Sequence, residues 1–240
     1  MANQTQRPDT ALHNTSHLMQ YHDLIESIVA AMDARDAYTA KHSDRVADMV
    51  LVLATALDLS EDETTLLHMA AHLHDIGKIA VPDSVLRKAG PLTNPEWEEM
   101  RRHPVTGYEI LRKVDDFKEI AVLVRHHHER WDGRGYPDGL RGADIPLGSR
   151  ILAVADSIDA MMSSRSYRPA MTSAACRREI ERNSGIMYDP SVAAAALEHW
   201  DELVCRYAEA DTPQTPYFDR MQLEHTRQAH DYLLTHQGSR

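Results

Sequence analysis

The chain is 240 residues long, 42% hydrophobic and 26% charged, with a formal net charge of -11 and only two Phe and two Cys. That length buries one good core or at most two small ones, so a single domain is the default. The acidic balance excludes a general nucleic-acid polymer surface, which needs a basic stripe to displace counterions, but it leaves room for a small anionic substrate at a local cationic site.

Few β-branched runs and little aromatic content favour an all-α fold. The longest apolar run, Met49 to Leu57, is far short of the roughly 20 residues that span a bilayer, so no membrane association is expected. Cys176 and Cys205 form neither a metal-type spacing nor a disulfide framework, so both read as small core residues and the expected compartment is a reducing cytoplasm.

Residues 1–17 carry too little apolar content to fold alone and read as a flexible N-terminal segment. From Leu18 to Asp33, the residues Leu24, Ile25, Ile28, Val29 and Met32 recur at helical spacing. A second helix starts near Tyr38 and Thr39, carries His42 near its start and runs to about Leu57. Ser60 to Glu63 is a capping box that launches a third helix, the one bearing His74 and Asp75. Gly77 suits the C-terminus of that helix, whose partial negative charge favours a nearby cation, with Lys78 projecting past the end towards bound anions. Thr93-Asn94-Pro95-Glu96 is a second capping box and starts a helix that reaches His103, which Pro104 puts at a boundary or kink.

A helix from Gly107 to about Lys113 precedes one from Phe117 to His126-His127-His128. Between Trp131 and Gly148 five of the ten Gly fall together with Pro137 and Pro146, which makes a structured loop. The apolar helix from Arg150 to about Met162 carries Asp156 and Asp159, and Asp156 among its apolar neighbours requires a partner. A basic connector holding Arg165 and Arg168 leads to a helix ending near Gly185, and Asp189-Pro190 opens an Ala-rich helix from Ser191 to about Tyr207. The domain is therefore placed at residues 18–207, with 208–240 as a peripheral, partly helical tail.

Neighbouring helix residues are turned by about 100°, so His74 and Asp75 diverge unless metal ions at the helix edge accept both. A carboxylate can bridge two ions, whereas an imidazole binds one. His42, His74, Asp75, His103, His127, His128 and Asp156 are distributed over different helices or helix ends, as a metal site in a helical bundle requires. With Asp75 bridging, the seven residues make about four protein contacts to each of two ions. Imidazole with carboxylate suits Fe, Mn or Zn, and the absence of Cys ligands argues against a structural zinc site.

The ordered set goes further: Asp36-Ala37-Tyr38-Thr39 before His42, the run His74-Asp75-Ile76-Gly77-Lys78, Pro82-Asp83, His103, then His127-His128-Glu129 followed by Asp132-Gly133-Arg134-Gly135-Tyr136-Pro137. Ile145-Pro146-Leu147, Asp156, Asp159-Ala160, Arg165-Ser166-Tyr167-Arg168 and Asp189-Pro190 continue it. This pattern resembles the HD-GYP family, a branch of the HD-domain metal-dependent phosphohydrolases acting on the bacterial messenger cyclic di-GMP. The resemblance implies an HD-domain helical bundle with a structured GYP loop, and it makes the seven residues metal ligands for two divalent ions, Fe or Mn before Zn. It implies catalytic roles for Asp75 and Lys78, and substrate contacts from Lys78, Tyr136, Arg165 and Arg168. A bridging hydroxide attacking phosphorus would give linear pGpG and then GMP.

A non-catalytic cyclic di-GMP sensor, or a phosphodiesterase for a related cyclic dinucleotide, are the alternatives. Glu129 and Asp132 are expected to hydrogen-bond the ligating imidazoles. Some members hold a third metal with a Glu where this chain has Tyr38, so two ions are expected. His68 and His72 have a spacing that could bind zinc but fall outside the family's ligand set, and with His126 they read as packed or solvated neighbours. The residues before the match are too few for a fused sensor domain, so regulation is expected from a separate partner, from expression, or not at all; the expected protein partners are a second copy in a homodimer or a separate regulatory protein.

Overall fold

The computed structural model describes residues 21–35, 41–164 and 169–208. Arg165, Arg168, Tyr38 and the expected tail lie outside the described residues. The chain divides by its contacts into a unit spanning Met1–Arg206 and a second spanning Tyr207–Arg240, and every side chain discussed below lies in the first. Among the described residues there is no strand, only one isolated bridge between Ser184 and Tyr188. The α-helices in order, with the 3-10 helix that follows the third, are α1 (His22–Arg35), α2 (His42–Ala56), α3 (Glu61–Leu73), the 3-10 helix (Ile76–Ala80), α4 (Asp83–Leu86), α5 (Asn94–Met100), α6 (His103–Leu111), α7 (Lys118–His126), α8 (Leu147–Met162), α9 (Ser173–Asn183), α10 (Pro190–Glu198) and α11 (Trp200–Ala208). The all-α architecture read from the sequence is the one observed.

The core is built by α2, α3, α8, α9, α10 and α11, with Val46, Val50, Leu53, Leu67, Ile151, Leu152, Ile158 and Ile180 fully enclosed. Each such side chain contributes about 1.5–3 kcal/mol on leaving water. Local chemistry sets the helix starts. Ser60 Oγ accepts from Glu63 N while the Glu63 carboxylate accepts from Ser60 N, and Glu96 likewise accepts from Thr93 N at 2.7 Å. Asp189 caps α10 by accepting from Ser191 N at 2.8 Å and also pairs with Arg150.

Several expected boundaries move. The helix through His74 stops at Leu73, and Gly77 sits inside the following 3-10 helix rather than at a helix C-terminus. The reason is space: a Cβ on Gly77 would lie 1.9 Å from the carbonyl oxygen of His103, so the 3-10 helix rests directly on the first turn of α6. The helix opened by Thr93 ends at Met100, and His103 begins a new one running to Leu111, because Pro104 suits a first turn and not a helix interior. The loop ends earlier than expected, with α8 starting at Leu147 after Pro146. The last expected helix is two, broken at His199, where Trp200 turns inward and its Nε1 donates to Ser173 Oγ at 2.9 Å. Cys176 is in the core as expected; Cys205 is instead exposed.

Candidate metal centre

The seven residues singled out by the sequence converge on one place in the bundle. His42 opens α2, His74 follows the last residue of α3, Asp75 precedes the 3-10 helix, and His103 opens α6. His127 and His128 follow α7, and Asp156 lies inside α8. His42, His74 and Asp156 have ligand atoms within 4.8 Å of one another, as do His103, His127 and His128. Either group could hold a metal ion. Asp75 stands between the groups: its Oδ2 is 3.3 Å from His74 Nε2 and 3.8 Å from His42 Nε2, while its Oδ1 is 3.4 Å from His103 Nε2. Asp156, which required a partner, has its Oδ1 3.5 Å from His42 Nε2.

Four of the five imidazoles are aimed by a hydrogen bond from the other nitrogen. Nδ1 of His74, His103 and His127 donates to the carbonyl oxygens of Ala71, Met100 and Val124 at 2.7, 2.8 and 2.6 Å. Nδ1 of His42 donates to Asp159 Oδ2 at 2.7 Å. With Nδ1 protonated, a neutral ring offers a lone pair at Nε2. His42 Nε2 and His74 Nε2 then face each other at 3.2 Å, and His103 Nε2 and His127 Nε2 at 3.3 Å. Two buried acceptors facing each other require a cation between or beside them, so the donor set fits metal ions.

The titration directions tell the same story. Burial holds His103 down to about 4 and, together with the neighbouring imidazoles, holds His127 and His128 well below the usual histidine range. These rings are therefore neutral, the form that ligates metal. Burial opposes charge at Asp75, yet Lys78 and His74 hold its carboxyl well below the usual carboxylate range. His74 is desolvated too, but the adjacent Asp75 and Asp156 carboxylates raise it to about 9. Its proton takes the place that a cation between the two carboxylates would fill. Lys78, expected to reach past a helix end, instead donates from Nζ to Asp75 Oδ2 at 2.5 Å.

The segment after His128 forms the wall of the site. Trp131 N and Asp132 N donate to Met187 O and Ile186 O, tying the loop to the turn before α10. Gly135 folds back so tightly that a Cβ there would lie 2.3 Å from Arg130 N. This brings the Tyr136 ring to 4.9 Å from the His128 ring, ahead of a cis Tyr136-Pro137 bond. Glu129 and Asp132 do not serve the imidazoles. Glu129 Oε1 accepts from Asp138 N and Gly139 N and so pins the loop, while Asp132 pairs with Arg130; Nδ1 of His74, His103 and His127 is already taken by backbone carbonyls.

Sequence reasoning named Asp159 without assigning it a role and missed Arg45 and Arg35. Asp159 orients His42 and is itself held by Arg45, whose Nε donates to it at 2.5 Å; its position three residues after Asp156 on one helix was the available signal. Arg35 donates to the carbonyl oxygens of Lys78, Ile79 and Val81, fastening α1 to the 3-10 helix. His68 and His72 are buried against each other, Nε2 to Nε2 at 3.3 Å, and His126 binds Asp138.

A family model described as the HD domain matches residues 23–192. The chain is 43% identical over 177 residues to the cyclic di-GMP phosphodiesterase response regulator RpfG of Xanthomonas campestris, covering 73% of this chain and 47% of that protein. It is 41% identical over 187 residues to 3′3′-cGAMP-specific phosphodiesterase 2 of Vibrio cholerae, covering 76% of this chain and 35% of that one. A cyclic di-GMP phosphodiesterase of Thermotoga maritima is 40% identical, with 77% and 51% covered. The chain thus spans about a third to a half of the length of these curated relatives. In fold it matches the crystal structure of the V. cholerae cyclic GMP-AMP-specific phosphodiesterase V-cGAP3, with a TM-score of 0.62 at 20% identity over 83% of this chain and 52% of that one. It also matches the HDG"Y"P protein Bd1817 of Bdellovibrio bacteriovorus, with a TM-score of 0.54 at 17% identity over 80% and 69%. The chain belongs to the HD domain family, in its HD-GYP branch.

Proposed function

We propose that this chain is a metal-dependent phosphodiesterase that hydrolyses cyclic di-GMP to linear pGpG and on to GMP. His42, His74 and Asp156 would hold one divalent ion and His103, His127 and His128 a second, with Asp75 shared. Iron or manganese suits this imidazole and carboxylate set better than zinc. The position of Asp75 carries the reading: one carboxylate oxygen faces His74 and His42 and the other faces His103. When bound, such ions supply Lewis-acid activation of water and neutralise phosphodiester charge.

The chain's own groups do the rest. Lys78 keeps the Asp75 carboxylate ionised and oriented, and its flexible ammonium is close enough to the centre to donate to phosphoryl oxygens as charge builds on them. Tyr136 is desolvated beside Asp156 and Asp75, so its phenol is pushed up and stays a hydrogen-bond donor throughout the working range. Arg165 and Arg168 take the remaining phosphate oxygens or guanine edges as bidentate donors. The relatives named for cyclic di-GMP support that substrate, and the 41% identity to a 3′3′-cGAMP-specific enzyme favours the mixed cyclic dinucleotide as a second reading. The test is incubation of metal-loaded protein, prepared without oxygen, with each dinucleotide, followed by chromatography of the products. Both remaining intact, while an established phosphodiesterase degrades them in the same buffer, would end this reading.

A further inference from the structure

A cleft of about 500 Å³ opens beside His128 and Tyr136, within the roughly 300–1,000 Å³ range of small-ligand sites. In a chain of net charge -11 it collects Arg101, Arg130 and Arg134, with Trp97 at its edge. These cations are not equivalent. Arg130 is held by Asp132 through two hydrogen bonds of 3.0 and 2.7 Å. Arg101 lies over the Tyr136 ring, its guanidinium carbon 4.6 Å from the centroid, and its carboxylate neighbour Glu98 is 3.8 Å away and well solvated. No carboxylate of the described residues lies within ion-pairing distance of the Arg134 guanidinium. Asp132 instead accepts from the Arg134 backbone N at 3.1 Å, so the turn is fixed while the side chain faces solvent.

Trp97 is the second observation. It sits on α5 with 49% of its surface exposed, although a Trp ordinarily gains much by burial. The rings of His103, His127, His128 and Tyr136 follow one another at centroid spacings of 5.3, 4.0 and 4.9 Å, and Arg101 continues the series into the cleft. His128 therefore belongs both to the candidate centre and to the wall of the cleft, which places the two side by side. A cyclic dinucleotide whose reacting phosphate is at the centre leaves a second phosphate and a second purine outside it. A solvated aromatic plane next to the Arg134 guanidinium and the loosely paired Arg101 matches both.

We propose that Trp97, Arg101 and Arg134 form the subsite for the half of a cyclic dinucleotide that is not being cleaved: the indole stacks on its purine and the two guanidinium groups take its phosphate. This rests on the proposed function and extends it to specificity. The test compares kcat/KM on cyclic di-GMP with kcat/KM on bis(p-nitrophenyl) phosphate, a diester with one phosphate and no purine. In Trp97→Ala and Arg134→Ala the ratio of the two falls about tenfold through KM for the dinucleotide. In Arg102→Ala, whose side chain pairs with Glu99 outside the cleft, the ratio holds. Equal losses on both substrates, or no change in the ratio, overturn the subsite. Calorimetric titration of metal-loaded protein with cyclic di-GMP separates the two claims. Binding that weakens in Trp97→Ala without any turnover in wild type refutes the hydrolytic reading and supports the subsite; binding indifferent to both substitutions refutes the subsite.

Discussion

Replacing Gly77 by Ala puts a methyl carbon 1.9 Å from His103 O and 2.6 Å from Gly107 N. Both neighbours are backbone atoms, so no side-chain rotation relieves the clash. Reaching an ordinary contact of 3.4 Å requires the 3-10 helix and α6 to part by about 1.5 Å. Asp75 and His103 ride on those two elements, and their facing atoms, now 3.4 Å apart, would open to about 4.9 Å. Two donors on one ion at about 2.1 Å each can be no more than about 4.2 Å apart, so Asp75 could no longer share an ion with His103. Stability should fall by about 1–3 kcal/mol in urea unfolding while far-UV circular dichroism keeps its helical signature. Metal per chain should drop, and cyclic dinucleotide turnover should fall about 100-fold or more. Gly90→Ala is the control, since nothing lies within 4 Å of its added carbon. A Gly77→Ala protein with the wild-type metal content and turnover within about twofold of wild type refutes the claim that this close approach builds the centre.

Asp75→Asn keeps the shape but removes the charge and one ligating oxygen; elemental analysis should find less than one ion per chain, and two retained ions would count against a shared carboxylate. Asp159→Asn weakens the acceptor for His42 Nδ1 and releases Arg45, so metal affinity measured by competition with a chelator should fall about 10–100-fold. The Asp189 carboxyl is opposed by burial but held below its ordinary value of 3.8 by Ser191 and Arg150. A depressed carboxyl contributes stability above its unfolded value, and that contribution is lost as pH falls through the folded one. Wild type should therefore lose stability below about pH 4, whereas Asp189→Asn should be about 2 kcal/mol weaker at pH 7 and flatter across that acid range. Superimposable acid profiles for the two proteins would contradict the assignment.

The helical architecture was legible because its signals are local. The Ser60–Glu63 capping box, the Asp189-Pro190 start and the apolar face of α8 each act within a turn or two of their own residues. The seven candidate ligands were legible as an ordered motif, and the fold brings them together. What escaped depends on contacts distant in sequence. Gly77 looks like a helix terminator until the backbone of His103 is found against it. The break at His199 follows from where Trp200 can be buried. Glu129 next to two histidines suggests an imidazole partner, but the Val124 carbonyl already accepts from His127 Nδ1, and Glu129 turns to the loop's amides. The charged cleft escaped because Arg134 comes from a loop distant in sequence from Trp97 and Arg101 at the end of α5, and each alone reads as surface.

The most direct test of the shared-carboxylate centre is anomalous diffraction from crystals of metal-loaded protein grown without oxygen, recorded at the iron and manganese edges. Two peaks are predicted, one among His42, His74 and Asp156 and one among His103, His127 and His128, with a different oxygen of Asp75 on each. A single peak in protein that turns over cyclic di-GMP, or two peaks with Asp75 bound to only one of them, would contradict it.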